Sequence, residues 1–429
     1  MHDASLHELE RDTFGYFLKE TNTSNGMVPD STRQGSYASI AAIGFALTAY
    51  SIGVERGFLS RGEAVQRTLT TLRFFAESPQ GEEPGASGYR GFYYHFLDMA
   101  SGRRAGKSEL STIDSTSLLA GMLSAAAYFG GEAPEEREIR SLSEALYRRA
   151  DWQWALNGGD TVTHGWKPET GFLPYRWEGY NEGLILYVLA LASPTHPLPK
   201  ESYSAWTRTY LWRKVCGEEL LYAGPLFTHQ VSHIWIDFRG ISDAYMRGKG
   251  IDYFENSRRA TYAQRRYAIL NPLGFAGYGE NCWGITASDG PGPATMKIGG
   301  VERRFFDYEA RAIPDGPDDG TISPWAAIAS LPFAPEIVLP ALTHFNDVYP
   351  EMTSEYGFKC SFNPTFVGGK PGKGGWTSQG YYGIDQGPIV MMIENHRSGF
   401  LWDLMRKSPY VLAGLRRAGF TGGWLERNS

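Results

Sequence analysis

Cysteine is scarce in this 429-residue chain: Cys216, Cys282 and Cys360 are an odd number, and no two lie close together. That argues against a disulfide framework and excludes any CxxC metal or redox pair. Long apolar runs are missing too. No stretch of about 20 apolar residues exists, so no membrane-spanning helix is expected. The opening residues, MHDASLHELERDTFGYF, carry charges throughout and lack the apolar centre of a signal peptide. A soluble protein is expected, with periplasmic or cytoplasmic residence left open. Positive charge is not in excess. The 41 Lys and Arg against 47 Asp and Glu leave −6, which offers nothing to a nucleic acid backbone.

Several motifs are absent as well. Ser111, Ser115 and Ser117 have no GxSxG context. No GxGxxG follows a strand pattern, and no Walker A sequence occurs. The Gly368–Gly375 stretch, GGKPGKGG, lacks the GK[ST] ending and reads as a mobile loop. His229 and His233 stand four apart, a spacing that could hold a metal, but no acid lies between them in the metalloprotease pattern. No metal and no cofactor is expected. A cyclase use of helical architecture would need DDxxD or a Cys/His zinc set, and neither is present.

Aromatics are plentiful, with 12 Trp, 25 Tyr and 23 Phe, and so is glycine at 51. This suits glycine-shaped loops carrying flat side chains in a carbohydrate cleft; it equally suits a large aromatic core. Helical periodicity dominates the pattern. Leu6–Glu20, Arg61–Glu77 and Glu136–Ala150 each carry one apolar stripe, the mark of a half-exposed helix. Six other segments are apolar nearly all round, the mark of a buried helix. They follow Ser36, Asp114, Glu182, Thr228, Thr321 and Asp385. Alternation of buried and half-exposed helices predicts an all-α (α/α)6 barrel spanning residues 1–429 as one domain. The segments from Glu77 to Leu110 and from Leu270 to Gly320, rich in Gly, Pro and aromatics, are predicted to be long loops with short strands.

If an antiparallel outer helix follows each inner one, the inner N-termini gather at one mouth. Asp114, Glu182 and Asp385 stand there. Any one of them could merely cap its helix. Glu182, however, is flanked by Trp177, Tyr180 and Asn181. Apolar and aromatic walls would raise its pKa, as a proton donor requires. Paired carboxylates are what glycoside hydrolysis needs. A binding protein would show the same aromatics without needing two ionisable acids.

Long stretches carry a further signal. GYRGFYYHFLDMASGRR, ELSTIDSTSLLAG, GYNEGLILYVLALASPTHPLP, GYGENCWGITASDGP and GIDQGPIVMMIENHRSGFLW resemble the glycoamylase-like family of bacterial proteins, in order and over nearly the whole chain. The resemblance implies an (α/α)6 barrel and hydrolysis of β-1,2-glucan, with transglycosylation or hydrolysis of another β-glucan as alternatives. It implies Glu182 of YNEG as general acid, with Asp114 of STIDS and Asp385 of GIDQG as further functional acids. It makes Glu109 and Glu280 additional candidates. Asp98, Trp166, Tyr175, Trp177, Trp283 and Trp376 become candidates for the walls of sugar subsites. The expected partner is an oligo- or polysaccharide, met by a monomer.

Overall fold

The computed structural model describes residues 2–367 and 375–427, with side chains from residue 5 to 426. Most of the Gly368–Gly375 loop therefore lies outside the described residues. The fold is mostly helical. The helices that matter here are α1 (His2–Lys19), α2 (Ile40–Glu55), α3 (Arg61–Glu77), α4 (Thr112–Tyr128), α5 (Pro134–Arg149), α6 (Leu184–Ala192), α7 (Lys200–Thr207), α8 (Tyr253–Leu270), α9 (Pro324–Ile328), α10 (Pro335–Val348), α11 (Gly383–Arg397) and α12 (Pro409–Arg417).

Two kinds of helix alternate, as the apolar patterning predicts. In α6, LILYVLALA, all nine residues are buried, and in α2 burial runs unbroken from Ile40 to Gly53. By contrast α3 and α5 bury single stripes, Val65–Leu69–Leu72–Phe75 and Ile139–Leu146–Tyr147. Local chemistry sets the ends. Ser60 and Glu63 form a reciprocal capping box at α3, which satisfies two of its unpaired N–H groups. Asp252 caps α8, and Asn271 ends it in the left-handed conformation.

The buried helices pack on one another in neighbour order: α2 on α4 and α11, α4 on α6, and α9 on α11. The half-exposed ones cover them: α5 lies on α3 and α4, α12 on α6, α10 on α9, and α1 on α11 and α2. The α2–α4 crossing is especially close. A Cβ on Gly44 would lie 2.2 Å from the Ser117 carbonyl oxygen, and one on Gly121 would lie 2.1 Å from that of Gly44.

The fourth buried segment departs from expectation. Instead of an α-helix, it forms two 3-10 turns, Leu226–His229 and Val231–Ile234, before a short helix at Ala244–Lys249. Its polar groups are engaged sideways. Ser257 donates to the His229 carbonyl, and Ser232 receives the Ile185 N–H while donating to the Glu182 carbonyl. Such bonds compete with a helical ladder. The fifth is short because Pro324 opens it and Pro332 follows it closely.

The two long segments contain short strands, as expected. A five-stranded antiparallel sheet joins β1 (Gly88–Tyr89), β2 (Phe92–Tyr94), β3 (Leu110–Ser111), β4 (Gly165–Lys167) and β5 (Gly171–Phe172). Strand β3 runs directly into α4, so the sheet aims the start of that helix. The Leu270–Gly320 segment is tied down by Arg311. Its fully buried guanidinium grips the fully buried Asp319 carboxylate through two hydrogen bonds of 2.7 and 2.8 Å and donates to the Ser288 carbonyl. Among the described residues, no helix is long and apolar enough to cross a membrane.

Candidate functional site

All six buried segments meet at one cavity of about 350 Å³. Ala41 and Phe45 come from α2, Ile113, Asp114 and Ser117 from α4, and Glu182 from the residues just before α6. Phe227 and Val231 come from the 3-10 turns, Trp325 from α9, and Ile384 and Pro388 from α11. These are the N-terminal ends of the helices. His95 and Glu109 of the first long segment and Ala287 and Tyr308 of the second complete the rim, with His164, Leu173 and Trp177 between them.

Two carboxyl groups face this space from adjacent helices, in different surroundings. Ser111 is the N-cap of α4: its hydroxyl accepts the Asp114 N–H and donates to the Asp114 carboxylate. Asp114 thus belongs to a helix cap and to the cavity wall at once. Glu182 belongs to no cap. The N-cap of α6 is Gly183, and no side chain caps that terminus. Burial raises the Glu182 carboxyl to about 7; a backbone hydrogen bond opposes this, and the nearby Asp114 charge adds to it. A carboxyl raised toward neutrality thus shares the cavity with one that accepts a hydroxyl hydrogen bond.

Trp177 supports this corner. Its indole N–H donates to the Thr112 hydroxyl at 2.9 Å, and His164 stacks on its ring with centroids 3.9 Å apart. The same Thr112 hydroxyl donates to the Thr163 carbonyl, so the wall is fixed from both sides.

Of the residues singled out in the sequence, Asp114, Glu182, Glu109 and Trp177 converge on the cavity. Asp385 lies one residue from the wall residue Ile384 but is itself 1% exposed. Burial holds its carboxyl well above the usual range, against a hydrogen bond with Cys360, and its Oδ2 has no partner among the described residues. The others lie off the cavity wall. Asp98 is exposed and caps its own turn, accepting from the Ser101 N–H and hydroxyl. Trp166 sits in a ring cluster with Tyr89 and Trp154. Tyr175 is exposed, and Glu280 pairs with Arg265 at the surface. Trp283 is fully buried in the core, and Trp376 is half-buried in a two-stranded ladder with Phe362–Asn363. An indole packs equally well in a core or a cleft, so sequence alone does not sort Trp177 from Trp283.

His95 is the site residue that sequence reasoning missed. Its mark in the sequence is an ionisable ring set among the aromatics of GFYYHF. Tyr308 was missed as well; its loop gives no periodic signal. His229 and His233, whose spacing suggested a metal, are core residues. His233 bonds the Ser257 hydroxyl and His229 the Ala223 carbonyl, and burial pushes them down to about 3 and 4. Among the described residues, no group of three or more His, Cys, Asp or Glu could hold a metal ion.

The chain is similar to proteins of known family and structure. Residues 174–409 match the glycoamylase family model, described as "Putative glucoamylase". A crystal structure of the same description from Bacteroides uniformis is 33% identical, covers 99% of this chain and 98% of its own, and superposes with a TM-score of 0.86. An endo-β-1,2-glucanase from Chitinophaga pinensis, solved with sophorotriose and glucose, is 30% identical, covers 99% of each chain and also gives 0.86. An exo-β-1,2-glucooligosaccharide sophorohydrolase acting at the non-reducing end, from Parabacteroides distasonis, is 28% identical over 96% of this chain. The chain spans 57% of that curated relative's length.

Proposed function

The chain belongs to the glycoamylase family, and from that membership we propose that it is a glycoside hydrolase cleaving β-1,2-glucan by carboxylic acid/base catalysis. The observation that carries the reading is the meeting of Glu182, held near 7, with Asp114 in one aromatic-walled cavity. Glu182 gives its proton to the glycosidic oxygen as the bond to the anomeric carbon breaks. Asp114 takes a proton from the water that bonds to that carbon, leaving a shortened chain and a released sugar. Tyr308 at the rim is positioned to meet a sugar ring, Trp177 stands behind the wall with His164 stacked on it, and Glu109 offers an acceptor for hydroxyls. Asp385 is a second reading for the base, favoured by its buried, unpartnered oxygen.

The same reading takes residues 1–429 as one (α/α)6 barrel. Support comes from the neighbour order of the buried helices and from the convergence of their N-termini. The same reading takes the unit as a monomer.

The test is to incubate the protein with linear and cyclic β-1,2-glucans, and with β-1,3- and β-1,4-glucans and starch as controls, and to resolve the products. Sophorose or longer β-1,2 products are expected from the first group alone. Release of sugar only from another polymer overturns the substrate assignment. Asp114→Asn and Asp385→Asn, assayed side by side, separate the two bases: the greater loss of kcat marks the one that activates water.

A further inference from the structure

His95 occupies the bend between β2 and Phe96–Leu97, and its backbone is held on both sides. Its N–H donates to the Glu109 carbonyl at 2.9 Å, and its carbonyl receives the first N–H of α2, from Ile40. Phe96 stacks on the ring at 4.0 Å between centroids and 14° between planes. The ring is therefore fixed in place and in tilt, and both nitrogens point at acids. Nδ1 lies 2.9 Å from the Glu109 carboxylate and Nε2 lies 3.7 Å from that of Asp114. A neutral imidazole with its N–H on Nδ1 hydrogen-bonds Glu109 alone; an imidazolium keeps that bond and turns a second N–H and a positive charge toward Asp114. We propose that His95 is the positioning residue of this site, an imidazolium that holds Asp114 and Glu109 together as carboxylates against the cavity. The proposal rests on the hydrolase reading above and deepens it.

The charges around the ring agree. Glu109 stands on β3's approach, Asp114 on α4 and Asp30 on the loop before α2. Burial works against charge on His95, but Asp114, Glu109 and Asp30 outweigh it and lift the ring to about 9. The His95 hydrogen bond holds Glu109 down near 2, helped by Lys167. Asp30 is raised by burial to about 6, with His95 and Arg33 opposing. Across the cavity the Asp114 charge helps keep the proton on Glu182.

The experiment has two arms. In the free wild-type protein, ¹H–¹⁵N side-chain spectra are expected to show His95 doubly protonated at pH 7; a neutral ring there overturns the proposal whatever the activity. The second arm is kinetic, on β-1,2-glucooligosaccharide. His95→Gln is expected to move the acid limb of the kcat profile up by roughly one pH unit, the scale of a lost neighbouring charge, with a loss that approaches about tenfold on that limb and vanishes on the plateau. His95→Lys, which restores a cation, is expected to move the limb back. A merely structural His95 predicts lowered Tm with an unmoved limb, and that result overturns the proposal. A wild-type protein inert toward β-1,2-glucan overturns the hydrolase reading instead, and the spectra then decide the charge of His95 alone.

Discussion

Glu182 precedes the N-cap of its helix and caps nothing, so its position is not a demand of helix formation. Its burial carries a cost that the helix does not require. Glu182→Gln keeps the shape and cannot donate a proton as an acid. It is expected to lower kcat by about 10²–10⁴-fold with KM little changed. Wild-type kcat should fall as pH rises through about 7, where the carboxyl loses its proton. Stability should move the other way in the variant. A carboxyl raised from 4.5 to about 7 in the folded state gives its full contribution below 4.5 and loses it as pH rises through 7. Thermal melts at pH 5 and pH 8 are therefore expected to show Glu182→Gln gaining on the wild type at the higher pH. A variant that turns over normally ends the acid assignment. Glu182 was legible in the sequence because an acid against an apolar run is visible locally. His95 was not, because Asp30, Glu109 and Asp114 become its neighbours only on folding.

At the scale of elements, two features hold the mouth in shape. The first is the contact of α2 with α4, where Gly44 and Gly121 bring backbones together. A methyl at Gly121 meets main chain, which cannot rotate away. Gly121→Ala is expected to cost about 1–3 kcal/mol or more, by the usual scale of overpacking, in chemical denaturation. A neutral result would mean that the two helices can part without loss. The second is the Arg311–Asp319 pair under the Tyr308 loop. Arg311→Ala strands a buried carboxylate and is expected to cost about 3–5 kcal/mol. Limited proteolysis is expected to begin between residues 287 and 319; an unaltered cleavage pattern would deny that the pair anchors this loop. The buried helices themselves were readable, since an all-round apolar run such as LILYVLALA has one physical solution. The 3-10 segment was not, because the bonds that unwind it come from Ser257 and Ser232, which act through tertiary contact.

For the whole molecule, α1, α2 and α11 are joined by acids at the end away from the cavity. Glu10 of α1 and Glu394 of α11 are both buried, with Arg397 on the first at 2.6 Å and Arg56 on the second at 2.6 Å. Burial raises Glu10 to about 8, reinforced by the Glu394 charge. Its contribution to stability is complete below 4.5 and is lost as pH rises through 8. Glu10→Gln, which cannot ionise, is expected to match the wild type near pH 4 and exceed it at pH 9 in urea titrations. Parallel curves at both values would mean that the proton is not held there.

The packing of α11 against α1 and α2 also has a meaning in time. The first two helices leave the ribosome more than 300 residues before their partner, and translation proceeds at about 5–20 residues per second. For tens of seconds a nearly all-apolar α2 has no α11 to lie against. A nascent chain of this design depends on something to shield that surface, whether α4 alone or a holdase, and its vulnerable period ends only when residues 383–397 emerge.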